Sequence, residues 1–403
     1  MARAPFTTDP AQDSGALLRR IGLAVLTIVL PVVALYSRRG VVLFLPVGVA
    51  LLAIASALDG GFRPLRQSRE RLASSTGVLA AVFGLSWATL SLAWTPSPLF
   101  SLDRLSGLLA SVGLGLAAYL ALPDRMRSAN LYLTPIGTAL AAVGVVATAL
   151  AAPDLVEGDA DGRSLERGLT VLTLLAWPSI AWLRSRNRDG EAVCLVLAVA
   201  LATLIGPQSA ISATFAAGAL GYVAVALSPN WGLSAAKVVM PAIVLFAPIL
   251  PFVVGPFAGT LAGGGAFGEE LAAWRSLVAS EPGRLLTGHG YGAFLLGRIA
   301  YSLPPGTPDT PLVHIWYDLG IVGALAIAAT IWAGLRGAAS SYTPLLPGIV
   351  GAVTAAFSLA CAGVGSGQAW WPASLVVLAL AFVAAQRGQV RTRRPRARDP
   401  SPT

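Results

Sequence analysis

Charge is scarce in this chain. Only 12% of its 403 residues are Asp, Glu, Lys or Arg, where a soluble globular domain carries roughly 25%. That little polar surface cannot face water all round, which excludes a soluble domain. Lysine is almost missing, with Lys237 the single copy, so the basic side chains are nearly all arginine. The two cysteines, Cys194 and Cys361, both lie inside apolar runs. They imply small buried hydrophobes and neither a disulfide framework nor a metal cluster. Histidine occurs twice in the whole chain, at His289 and His314. No P-loop, GxSxG, HExxH or CxxC pattern occurs. The Gly-His-Gly at 288–290 is too short for a nucleotide fingerprint, and no strand precedes it. No metal and no cofactor is expected.

What the chain has instead is apolar length. Hydrophobic residues make up 55% of it and the mean hydropathy is +0.72. A helix crossing about 30 Å of hydrocarbon needs roughly 20 such residues. Apolar runs and breaker residues predict about twelve spans. They fall near 20–36, 41–58, 74–93, 104–122, 131–152, 167–183, 191–206, 209–227, 235–254, 312–335, 344–363 and 370–386. The pair at 191–227 is divided only by the turn Gly206 to Ser209. The first run is followed by no small-residue cleavage site, so it reads as a span and not as a removable signal. The expected organisation is helices over 1–254, an outer segment over 255–311, helices over 312–387 and a disordered basic tail over 388–403.

The formal charge of +9 comes from 28 Lys and Arg against 19 Asp and Glu. The excess lies between apolar runs and not in one basic domain, which argues against nucleic acid. Most of these cations fall in every second loop, led by Arg63, Arg66, Arg69, Arg71 and the tail RTRRPRAR. The positive-inside rule then puts both termini in the cytoplasm, with Arg38 and Arg39 as exceptions. The tail is expected to attract acidic lipids.

The opposite side receives the turn 95–103, the acidic loop 153–167 and the long segment 255–311. In that segment EELAAWRSLVAS (269–280) reads as an amphipathic helix. GRLLTGHGYGAF (283–294) reads as a turn into a second short helix, and SLPPGTPDTP (302–311) leads back to the membrane. A loop this long usually carries function. Both histidines fall here, and histidine is the natural base near neutral pH. The plain alternative has His289 capping a glycine turn and His314 bonding at a helix start. Arg163, Arg167, Arg275, Arg284 and Arg298 also lie on this side, against the charge rule. Arginine forks suit phosphate oxygens, and headgroup snorkelling is the alternative for any one of them. Asp318 stands one turn beyond His314, so the two side chains could meet. Asp309 lies in the loop.

Four stretches resemble the O-antigen ligase and polymerase superfamily of bacterial envelope glycosyltransferases. They are HIWYDLGIVGAL (314–325), WRSLVASEPGRLLTGHGYGAF (274–294), LAWTPSPLFSLDRLSGLL (92–109) and RGLTVLTLLAWPSIAWL (167–183). The resemblance implies an all-α integral membrane protein of the bacterial inner membrane, with a GT-C-like glycosyltransferase fold and a long periplasmic loop between spans nine and ten. It implies glycan transfer from an undecaprenyl-diphosphate carrier to a hydroxyl of a lipid or glycan acceptor on the periplasmic face. By that likeness, Asp309 and His314 act at the acceptor. Arg167, Arg284 and Arg298 are the first candidates for the diphosphate, and Arg163, Arg275 and His289 would also bind substrate. The family's His-Asn pair corresponds to Asp309-Thr310 here, so the catalytic His is displaced to His314, replaced by Asp309, or lost. A non-catalytic relative that binds lipid-linked glycan is therefore a second expectation. A twelve-helix transporter is a third, although it calls for a long connection between spans six and seven, where only RSRNRDG stands.

Overall fold

The computed structural model describes residues 10–37, 39–59, 74–151, 163–206, 209–255, 266–340 and 344–389. Among these residues the chain is helical throughout, with no strand. Helix α1 (Pro10–Ala24) runs through one π turn (Val25–Val29) into α2 (Leu30–Tyr36). The π turn sits just before Pro31, which has no N–H to give to the helical ladder. Then come α3 (Gly40–Leu58), α4 (Thr76–Leu90), α5 (Pro98–Ala121), α6 (Leu133–Ala151) and α7 (Arg163–Ser185). Helices α8 (Asp189–Ile205), α9 (Ser209–Leu227) and α10 (Pro229–Phe246) follow. Between α10 and the next long helix lie α11 (Ala266–Ser280) and α12 (Ala293–Ile299). The last three are α13 (Pro311–Ser340), α14 (Leu346–Cys361) and α15 (Trp370–Arg387).

Each predicted span falls on a helix. Nine helical stretches among the described residues are long and apolar enough to cross a membrane. The other three predicted spans coincide with α7, α8 and α14. Helix α14 is apolar but only 16 residues long, and α7 carries Arg163, Glu166, Arg167 and Arg184 near its ends. Two helices begin six residues before their predicted spans, at Pro98 and Pro229. Proline is preorganised for the first helical turn, and those first turns are too polar or too broken to register as apolar runs.

Helix α7 is the axis of the bundle: residues 167–183 are buried without a break. It packs on α2, α6, α8 and α14. Large apolar side chains of the surrounding helices point outward instead, among them Leu79 (56% exposed), Val143 (61%) and Leu220 (73%). A soluble monomer rarely shows so much contiguous apolar surface. The architecture is consistent with a multi-pass α-helical membrane protein.

The cluster Arg63–Arg71 and the tail beyond Gln389 lie outside the described residues, as do Arg38 and residues 152–162 and 256–265.

Candidate functional site

The site begins with a break in a helix. Gly320 adopts φ 63° and ψ −158° inside α13, a conformation that only glycine takes without strain. The break releases the carbonyls of Tyr317, Asp318 and Leu319 from the helical ladder. Each finds a new donor. The His289 N–H donates to the Tyr317 carbonyl at 2.8 Å, and the Gly290 N–H to the Asp318 carbonyl at 2.9 Å. The Trp87 indole donates to the Leu319 carbonyl at 3.0 Å. A buried carbonyl left unpaired costs on the order of 1–3 kcal/mol, so these bonds are what makes the break tolerable.

The donors come from the glycine turn, where Gly288, Gly290 and Gly292 all have positive φ. A Cβ at Gly288 would collide with the Asp318 carbonyl, and one at Gly290 with Thr95. The outer turn 91–101 holds the other side. The Tyr291 N–H donates to Ser91 Oγ at 3.0 Å, and the Thr95 hydroxyl donates to the Tyr291 carbonyl at 3.2 Å. Two stretches singled out in the sequence, 92–109 and 274–294, are thus clamped together. Burial pushes the Tyr291 phenol up to about 12, with Asp318 adding to the shift and Arg104 opposing it.

Asp318 does not meet His314, as the helical spacing had suggested. Its carboxylate is buried and turns to the start of α12. There it accepts the Phe294 N–H at 2.7 Å and the Gly292 N–H at 3.0 Å. It is a helix cap supplied from another helix.

His314 pairs with Asp309, Nε2 to Oδ1 at 2.8 Å. Arg298 holds the other oxygen of the same carboxylate. Burial raises the Asp309 carboxyl, but His314 and Arg298 outweigh it, so the group lies below its ordinary value and stays anionic. The His314 side chain is 15% exposed and that of Asp309 is 42% exposed, which leaves the dyad open on one side. The Phe294 ring lies 4.2 Å from the His314 ring.

The loop between α14 and α15 closes the site from the far side. Gly363 abuts the Asp309 carbonyl, and a Cβ at Gly367 would stand 4.0 Å from the His314 ring. Arg104 of α5 fixes that loop by donating to the Gly367 carbonyl at 2.8 Å.

A second cluster adjoins the first, around Tyr317 one turn further along α13. His289 stacks on Tyr317 at 4.0 Å, nearly parallel. Its Nε2 is 3.1 Å from Glu281, which also faces Arg284 at 3.8 Å. This group rims an open pocket whose walls include Trp274, Val313 and Trp316. The Phe294 ring touches Tyr317 as well as His314, so it separates the two clusters.

Of the predicted residues, Arg298, Asp309 and His314 therefore meet in one cluster, and His289 and Arg284 in another. Arg275 is exposed and lies over the Phe252 ring at 5.4 Å. Arg167 is buried in α7, next to Gly168, which abuts Leu35. The Arg163 side chain lies outside the described residues. Sequence reading missed Arg104, Glu281, Phe294, Tyr317 and the loop 363–367. The alternating glycines of GVGSG were the one local signal for that loop. Among the described residues no group of three or more His, Cys, Asp or Glu side chains comes together as metal ligands. No family model matches the chain, and no curated protein matches it.

Proposed function

We propose that this chain is a membrane glycosyltransferase of the O-antigen ligase or polymerase type. It would act in the bacterial inner membrane as a twelve-span protein with both termini cytoplasmic. The observation that carries this reading is the Arg298–Asp309–His314 cluster, set at the point where the outer segment re-enters the bundle.

The chemistry follows from the geometry. Asp309 is anionic and accepts from His314 Nε2–H, which leaves the lone pair on Nδ1. That nitrogen takes the proton of the acceptor hydroxyl. The acceptor oxygen forms a bond to the anomeric carbon as the bond from that carbon to the carrier's phosphate oxygen breaks. The undecaprenyl diphosphate leaves as an anion and needs cations in a poorly hydrated place. Arg298 touches the dyad, Arg104 holds the adjoining 363–367 loop, and Arg284 stands in the neighbouring cluster.

One observation favours the non-catalytic reading. Arg298, Asp309 and His314 already satisfy one another, as a purely structural knot would. Transfer from lipid-linked glycan to acceptor, assayed with Asp309→Ala and His314→Ala, decides between the two. Loss of a general base is worth about 10²–10⁴-fold, so the proposal expects a fall of at least a hundredfold in His314→Ala. Unchanged rates in both variants leave the binding relative. In cells lacking the chain, the proposal expects loss of long surface glycan with build-up of its lipid-linked precursor.

A further inference from the structure

Helices α5 and α15 both start beside the Asp309 cluster, where Arg104 holds the 363–367 loop. Both end at the opposite face of the bundle, about 36 Å away for a helix of 24 residues. A second concentration of arginine stands there, and the proposed reaction does not use it.

The ends of α5, α7 and α15 meet at this face. Arg387 donates to the Leu122 carbonyl. Arg186 Nη2 donates to the Gly388 carbonyl at 2.9 Å, and the Met126 N–H donates to the Arg387 carbonyl at 3.3 Å. Each guanidinium also lies over a ring: Arg186 over Trp182 at 4.3 Å, Arg387 over Tyr119 at 4.7 Å. Two neighbouring cations are neutralised, Arg184 by Asp189 at 2.9 Å and Arg188 by Glu191 at 2.6 Å. The bonds of Arg186 and Arg387 described here go to main-chain carbonyls and rings, which carry no net charge. The Arg186 Nε is buried and has no acceptor. A buried donor of this kind calls for a partner.

The geometry points to a site at this face, between the ends of α5, α7 and α15, for the phosphate of an anionic phospholipid headgroup held by Arg186 and Arg387. Guanidinium forks match phosphate oxygens. Basic pockets between helices at a membrane face select acidic headgroups. Trp182 and Tyr119 fix the two guanidinium planes without cancelling their charge. The sequence beyond Gln389 continues with Arg391, Arg393, Arg394, Arg396 and Arg398. This inference is independent of the transferase reading and needs only that the bundle sits in a bilayer.

The test uses the full chain in nanodiscs of mixed phosphatidylglycerol and phosphatidylcholine, with retained lipid counted by native mass spectrometry. One acidic lipid per chain should be retained with an enrichment of roughly fivefold or more over its share of the mixture. Retention in proportion to the mixture overturns the proposal without any variant being made. Arg186→Gln/Arg387→Gln should lose the enrichment, and undiminished enrichment in that variant removes these two residues from the site. Added inorganic phosphate should leave the retained lipid in place. Displacement by phosphate would mark a small-anion site and overturn the assignment to lipid.

Discussion

Asp309 and Asp318 frame the first turns of α13, and the difference between them is one of partners. Asp309 faces two cations and lies below its ordinary value. A carboxyl lowered on folding adds stability above its unfolded pKa of about 3.9, and that stability is lost as pH falls through the folded value. Unfolding midpoints measured from pH 7 downward should therefore drop below about pH 4, and Asp309→Asn should flatten that part of the profile. The drop should be small, because the carboxylate is partly exposed and screened. Asp318 accepts from two main-chain donors and is buried. Asp318→Ala strips both N–H groups of their acceptor, at about 1–3 kcal/mol each. It should lower the unfolding midpoint well beyond Asp309→Asn, and a midpoint equal to the parent would refute the capping role.

At the scale of elements, the site depends on a helix that is interrupted. The break at Gly320 turns three carbonyls outward, and the glycine turn 288–292 and Trp87 receive them. Gly320→Ala should undo this, for two reasons. A positive φ costs a non-glycine residue about 1–3 kcal/mol, and the added Cβ would press on the Leu286 carbonyl at 2.6 Å. Limited proteolysis should then cut the outer segment at 281–300, where the parent resists. A variant as resistant as the parent would show that the break is incidental. Much of this was readable beforehand: GRLLTGHGYG, with its spaced glycines, predicts a tight turn, and WRSLVAS predicts a helix. The partners of the turn were not readable, because Thr95 and Asp318 are distant in sequence and no local pattern pairs them with residue 290.

Among the described residues the bundle carries the Arg298–Asp309–His314 cluster at one face, and Arg186 and Arg387, bonded to main-chain carbonyls, at the other. The arrangement makes a topological prediction. With Cys194 and Cys361 replaced by Ala, Tyr301→Cys should react with a membrane-impermeant maleimide applied to the outer face of spheroplasts. The Tyr301 side chain is 94% exposed, just after α12. Arg188→Cys, between α7 and α8, should react only after lysis. Labelling of both from outside would break the orientation inferred from the arginines.

Sequence alone determined that this chain is helical and apolar and where its long helices run. Those properties are local: they follow from run length, proline and glycine placement, and the distribution of charge. Only the tertiary structure decided which cation meets which carboxylate. Asp309 was readable as a loop carboxylate and His314 as a helix-start imidazole, yet their pairing with Arg298 required three segments to converge. The same holds for Asp318, whose helical spacing pointed to His314 while the break at Gly320 turned it toward α12. Spacing fixes direction along one helix, but contact between helices depends on how their ends are brought together.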